Sequence, residues 1–181
     1  MSGPAGKGGA VLACGPYTYT VTDEDRLWLT RAVQHEGPVE REVAQVLVNC
    51  FAYLHSVKPK SCPTLTWLVR AYAQPINPEW FPEGKQFKRW NAVDKKKYPL
   101  ATAKRRRDVL SKVVVFDDRV LAAVDLALTA GPISIPKNAT DYAAPWIDAS
   151  KKFKSLTPAR RGRNRLWTRA PRWSGFRVRA S

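Results

Sequence analysis

The chain is poor in the features that would assign it quickly to a class. No apolar run approaches the roughly 18 residues that cross a bilayer, so no transmembrane segment is expected. The first fifteen residues hold one lysine and a short apolar patch, Ala10-Val11-Leu12-Ala13-Cys14, too weak for a signal peptide. Export, if it occurs, would need another route. There are only two histidines, His35 and His55, and three cysteines, Cys14, Cys50 and Cys62. Neither set has metal-ligand spacing, so no metal and no cofactor are expected. An odd number of cysteines, with Cys50 on an apolar helix face, reads as reduced structural thiols. Acidic residues are also scarce, 15 against 31 Lys and Arg, and none lies between positions 158 and 181. Those last 24 residues carry eight arginines, half of the net charge of +16. The imbalance calls for an anionic partner.

What is present is enough for a folded domain. A chain of 181 residues, 44% hydrophobic and with seven Trp, can bury a substantial core. Residues 1–16, rich in Gly and Pro, read as a flexible arm. Residues 17–168 read as one domain, and 169–181 as an Arg-rich tail. Thr22, followed by Asp23, Glu24 and Asp25, places a capping hydroxyl and first-turn acids before a helix over 23–36, which Gly37-Pro38 ends. A second helix is predicted over 39–55, burying Val43, Val46, Leu47, Cys50 and Leu54, with Glu40, Arg41, Glu42 and Gln45 on its polar face. Thr64 can cap a third helix over 65–72. Gln74-Pro75-Ile76-Asn77-Pro78 must leave helical geometry, because a proline restricts the residue before it. Asp117 or Asp118 can start a further helix through Val120, Leu121, Val124 and Leu128 that stops at Gly131-Pro132. After it, residues 133–136 and 139–145 look extended or looped; with no repeat and little sustained alternation, the chain reads as mainly α with short extended segments.

Glu36 stands out. The stripe Leu29, Ala32, Val33, Glu36 follows i, i+3, i+4, i+7, so a carboxyl occupies a position expected to face the core. Burial and the negative end of a helix dipole both favour the protonated acid, the form that glycosidic-bond cleavage requires. The plainer reading of a Glu near a helix end is a solvated or capping side chain.

The order of local motifs resembles that of the SleB-like cell wall hydrolases and their phage-borne lytic transglycosylase relatives. Leu29-Thr30-Arg31-Ala32-Val33-Gln34-His35-Glu36 resembles the opening helix with its catalytic Glu. Val43-Ala44-Gln45-Val46-Leu47-Val48-Asn49 is similar to the "VAxVxxN" helix. Thr64-Leu65-Thr66-Trp67-Leu68-Val69, leading through Tyr72-Ala73-Gln74-Pro75-Ile76-Asn77-Pro78-Glu79-Trp80, resembles the substrate-cleft segment. Asn138-Ala139-Thr140-Asp141-Tyr142-Ala143-Ala144-Pro145, with Gly162-Arg163-Asn164-Arg165-Leu166-Trp167, resembles the "ATHY" loop and the closing "GNHxF" segment. There are departures: Gly37-Pro38-Val39 separates Glu36 from Glu40 where the family has "EARGE", Cys50 follows Asn49 where Arg is common, and Asp141 and Arg165 replace two histidines. Residues 85–115 carry no family motif.

The resemblance implies a lysozyme-like (goose-type) fold and a peptidoglycan lytic transglycosylase. Glu36 is its catalytic acid and then base, and Tyr72, Gln74, Asn77, Trp80 and Tyr142 contact substrate, with simple hydrolysis as the second choice of chemistry. Together with the missing signal and the single-domain build, it further implies a virion-associated protein, with an endolysin as the alternative, made in the host cytoplasm without a signal peptide and acting on glycan strands in the wall or periplasm, with other virion proteins as partners. Each side chain also has an ordinary reading: Tyr72 as a buried tyrosine, Gln74 as a turn residue, Trp80 as packing, Asp141 as a turn acid. Glu40 and Glu42 read as surface charges, with a second catalytic carboxylate as the alternative. Lys95-Lys96-Lys97, Arg105-Arg106-Arg107 and the Arg-rich tail with Trp167, Trp173 and Phe176 suit polyanionic wall polymers, an acidic virion surface or nucleic acid. The rival from another class is a non-catalytic structural virion or nucleic-acid-binding protein that uses this basic surface.

Overall fold

A computed structural model describes residues 9–36, 40–73, 110–129, 138–143, 157–160, 165–168 and 177–178. Its helices are α1 (Asp23–Glu36), α2 (Glu40–Val57), α3 (Leu65–Tyr72) and α4 (Asp118–Thr129). Six short strands accompany them: β1 (Val11–Cys14), β2 (Tyr17–Thr20), β3 (Asp141–Ala143), β4 (Thr157–Arg160), β5 (Arg165–Thr168) and β6 (Arg177–Val178). The fold is mainly helical, as the periodicity predicts, with two small antiparallel sheets ordered β2-β1-β6 and β3-β5-β4.

Helix starts follow from capping. The Thr22 hydroxyl accepts from the Asp25 amide at 3.1 Å, and the Asp25 carboxylate accepts from the Thr22 amide at 3.0 Å. This reciprocal box satisfies donors that the first turn of α1 would otherwise leave open. At α3, Thr64 accepts from the Trp67 amide at 3.0 Å.

Around α2 the other elements assemble. Every residue from Glu42 to Ala52 is buried, because α1, α3, α4, β1 and β3 all touch this helix. Leu29, Ala32 and Val33 from α1, Phe51 from α2, Leu65, Leu68 and Val69 from α3, and Val124 and Leu128 from α4 share one apolar core with Leu12 and Cys14 from β1. Val46 lies on another side of α2, in a smaller cluster with Ala139 and Leu166 beneath the second sheet.

Two expectations need correction. Residues 11–14 do not belong to a flexible arm: they form β1, with Leu12 and Cys14 buried in the core. Gly15 turns the hairpin with a φ of 60°, the positive value that tight hairpin turns take at their first central position. The Arg-rich tail is likewise not merely appended, since Leu12 pairs with Val178 and Ala13 with Arg177 in register, covering an edge of β1 that would otherwise stay open. Three of the polar positions on α2 behave as expected only in part, because Glu42 and Gln45 are buried while Arg41 is exposed. Elements from distant parts of the chain pack on α2 and enclose the buried pair. No described helix is long and apolar enough to cross a membrane.

Candidate functional site

Glu36 is the last residue of α1 and is half-buried. The stripe before it is deeply inserted: Leu29, Ala32 and Val33 have no accessible surface. The carboxyl therefore stands where the buried face of α1 reaches the edge of the core, at the carbonyl-rich end of the helix.

Beside α1 runs the extended segment 113–117. Arg31 Nε donates to the Val113 carbonyl at 2.9 Å, Gln34 Nε2 reaches the Val115 carbonyl at 3.5 Å, and Gln34 Oε1 accepts from the Asp117 amide at 3.1 Å. One side of the Glu36 end of α1 is thus lined by backbone held in place by Arg31 and Gln34. No motif in this stretch signals that placement; the polar Gln34 on an amphipathic helix was the only trace of it.

A row of polar side chains crosses α2. Glu42 is 6% exposed and Asn49 wholly buried, and Gln45 Nε2 donates to Asn49 Oδ1 at 3.3 Å. Asn49 Nδ2 in turn donates to the Ala139 carbonyl at 2.8 Å, seating the segment that leads into β3. There Thr140 Oγ1 donates to Asp141 Oδ2 at 2.8 Å. Glu42 is therefore not a surface charge, and Asp141, on a strand and buried, is not a turn acid. Spacing gave a usable hint, because Glu42, Gln45 and Asn49 recur at i, i+3, i+7, one helix face. Tyr142 is paired with Leu166 in the β3–β5 ladder.

The direction of α3 relates it to Glu36. Asp25 meets Thr66 and Trp28 meets Arg70, so both helices advance the same way and α3 points its C-terminal end toward the end of α1 that carries Glu36. Tyr72, read as a buried tyrosine in its ordinary interpretation, is 46% exposed, with its ring edge-on to Trp67 at 6.2 Å. Gln74, Asn77 and Trp80 lie outside the described residues.

A heavily hydrogen-bonded carboxylate, Asp25, stands at the other end of α1. Its Oδ2 accepts from the Tyr19 hydroxyl at 2.6 Å and from the Thr22 amide. Its Oδ1 accepts from the Thr66 amide and hydroxyl, both at 2.8 Å. Burial alone would raise the pKa of Asp25, but the bonds from Tyr19, Thr22 and Thr66 outweigh it and hold the group below the usual carboxylate range. The same environment pushes the Tyr19 phenol upward, through burial first and then through Asp25. Asp25 is thus an anion at neutral pH that binds helix starts together, a structural role.

The three cysteines form no disulfide and are buried. Burial pushes Cys14 up to about 12, with the neighbouring Cys62 adding to it, and burial pushes Cys62 up to about 12. Among the described residues no group of three or more His, Cys, Asp or Glu is placed to hold a metal ion. No family model, no curated protein and no solved structure matches the chain.

Proposed function

We propose that the protein cleaves the glycan strands of peptidoglycan between N-acetylmuramic acid and N-acetylglucosamine, with Glu36 as the acid and base of a lytic transglycosylase. The observation that carries this reading is the half-buried carboxyl at the end of the otherwise apolar face of α1. The ordered motif resemblance across α1, α2, α3 and β3 supplies the reaction class.

In this mechanism the Glu36 carboxylic acid donates its proton to the glycosidic oxygen as the C1–O bond breaks, and N-acetylglucosamine leaves as the alcohol. The resulting carboxylate then takes the proton of the muramyl C6 hydroxyl while that oxygen bonds to C1. The product is a 1,6-anhydro ring and Glu36 is protonated again. One carboxyl serves both steps because the first leaves it ionised for the second. Tyr72, Gln74, Asn77, Trp80 and Tyr142 are assigned to sugar contacts. The lysozyme-like architecture, and use by a phage virion in penetrating the wall, belong to the same proposal.

The test is Glu36→Gln, which keeps the shape and removes the proton. Clearance of purified peptidoglycan should be abolished while the circular dichroism spectrum stays unchanged. Mass spectrometry of the released muropeptides should show anhydro ends; reducing ends would indicate hydrolysis instead. Undiminished clearance by Glu36→Gln would remove the enzymatic reading and leave the non-catalytic role of the basic surface.

A further inference from the structure

The outward face of α3 has a composition that core packing does not explain. Trp67 is 40% exposed, a large apolar surface to leave in water. Tyr72 braces it edge-on, with the two ring planes at 63°. Arg70, exposed between them in sequence, rests on the ring of Trp28 at 5.0 Å, and Arg31 lies over the same ring at 4.7 Å.

Within this segment the charges are all cationic, while the exposed acids Asp23 and Glu24 open the neighbouring α1. From Val57 to Ala73 the chain carries Lys58, Lys60 and Arg70 and no acid, and all three cations are at the surface: Lys58, Lys60 and Arg70 are exposed. The Asp25 carboxylate packed against α3 is buried beneath Thr66 and occupied by four hydrogen bonds, so it offers little repulsion at the surface. The helix itself is rigidly mounted, because the Leu65, Thr66 and Trp67 amides all have acceptors, in Tyr19, Asp25 and Thr64.

We infer that this face of α3 binds single-stranded nucleic acid, with Trp67 stacking on a base and Arg70, aided by Lys58 and Lys60, pairing with phosphates. A rigid aromatic plane flanked by cations is what such ligands require: every base has a π-face to stack, and the phosphodiester chain supplies the anion. Neutral sugar would use the ring but not the charges. A phosphodiester polymer without bases would use the charges but not the ring. The net charge of +16 favours the anionic ligand over the neutral one. This site goes beyond glycan cleavage and does not rest on it.

The experiment separates stacking from charge. Binding of the full chain to a labelled oligothymidylate of about twelve nucleotides, within the span of ordinary single-strand sites, is compared by fluorescence anisotropy with an abasic phosphodiester of equal length. The base-bearing strand should bind about tenfold more tightly, the scale of one stacked base. Trp67→Ala should remove that preference while leaving abasic binding and the circular dichroism spectrum unchanged, and Trp67→Phe should keep most of it. Arg70→Gln should lower the slope of log affinity against log salt by about one. Equal binding of the two polymers by the unaltered protein, or a preference that survives Trp67→Ala, overturns the inference; the first would point to a wall polymer held by charge alone.

Discussion

Asn49 and Ala139, ninety residues apart in sequence, are joined by a 2.8 Å hydrogen bond from the Asn49 amide to the Ala139 carbonyl. It is a polar link beside the apolar contact in which Val46, Ala139 and Leu166 pack beneath the second sheet. Asn49→Ala leaves a buried carbonyl without its donor, and Gln45 loses its acceptor. A loss of about 2 kcal/mol is expected in denaturant unfolding. Because the same bond seats the strand that carries Tyr142, peptidoglycan clearance should fall as well, and Asn49→Asp, which cannot donate there when ionised, should not restore either property.

Asp25 predicts how the protein responds to acid. Its folded pKa lies below that of the unfolded chain, so the native state binds fewer protons than the unfolded state across that interval. Stability from this group is complete above the unfolded carboxylate value, about 3.9, and is lost as pH falls from there through the folded value. Asp25→Ala should cost about 3 kcal/mol at neutral pH, since it strands donors from Tyr19, Thr22 and Thr66. Chemical denaturation followed between neutral and strongly acidic pH should show a shallower acid loss in that variant than in the unaltered chain.

Gly15 is held by two constraints at once. Its φ is 60°, and a Cβ built there would stand 2.9 Å from the Ser56 Cβ. The first strains any L side chain and the second drives it into α2. Gly15→Ala should therefore lower stability by about 1–3 kcal/mol. Adding Ser56→Gly relieves the clash but not the strain, so thermal melting of the double variant should recover part of the loss and not all of it.

The three cysteines should be chemically silent in the native protein. With Cys14 and Cys62 pushed up to about 12 by burial and Cys50 also buried, thiolate is scarce and hard to reach. A disulfide reagent at pH 8 should modify the folded chain only slowly. It should titrate all three thiols at once in denaturant, and the native rate should rise in Gly15→Ala, which weakens the hairpin that covers Cys14.

Helices were legible in the sequence wherever capping chemistry is local. Thr22 and Thr64 lie next to the helices they start, and α1 and α3 begin and end where periodicity and those caps place them. Asp118 likewise starts α4. Of the strands, β3 falls in the stretch 139–145 read as extended or looped and β5 overlaps the closing segment 162–167; the others were not legible, because segments of two to four residues are too short to show a period, and the Gly and Pro around β1 look like those of a loose arm. The site divides the same way. Glu36 was visible as a polar break in an apolar stripe, whereas the burial of Glu42 and Gln45 comes from elements that pack on α2 from other parts of the chain, and the lining from segment 113–117 depends on Arg31 and Gln34 reaching across about eighty positions. Such features depend on what packs from far along the chain, which local pattern does not carry.

Asp25 also has a mechanical consequence. It ties the starts of α1 and α3 to one carboxylate, and the Trp28–Arg70 contact fastens the same pair further along. The two helices are thus held in one register, and the ends that carry Glu36 and Tyr72 inherit it.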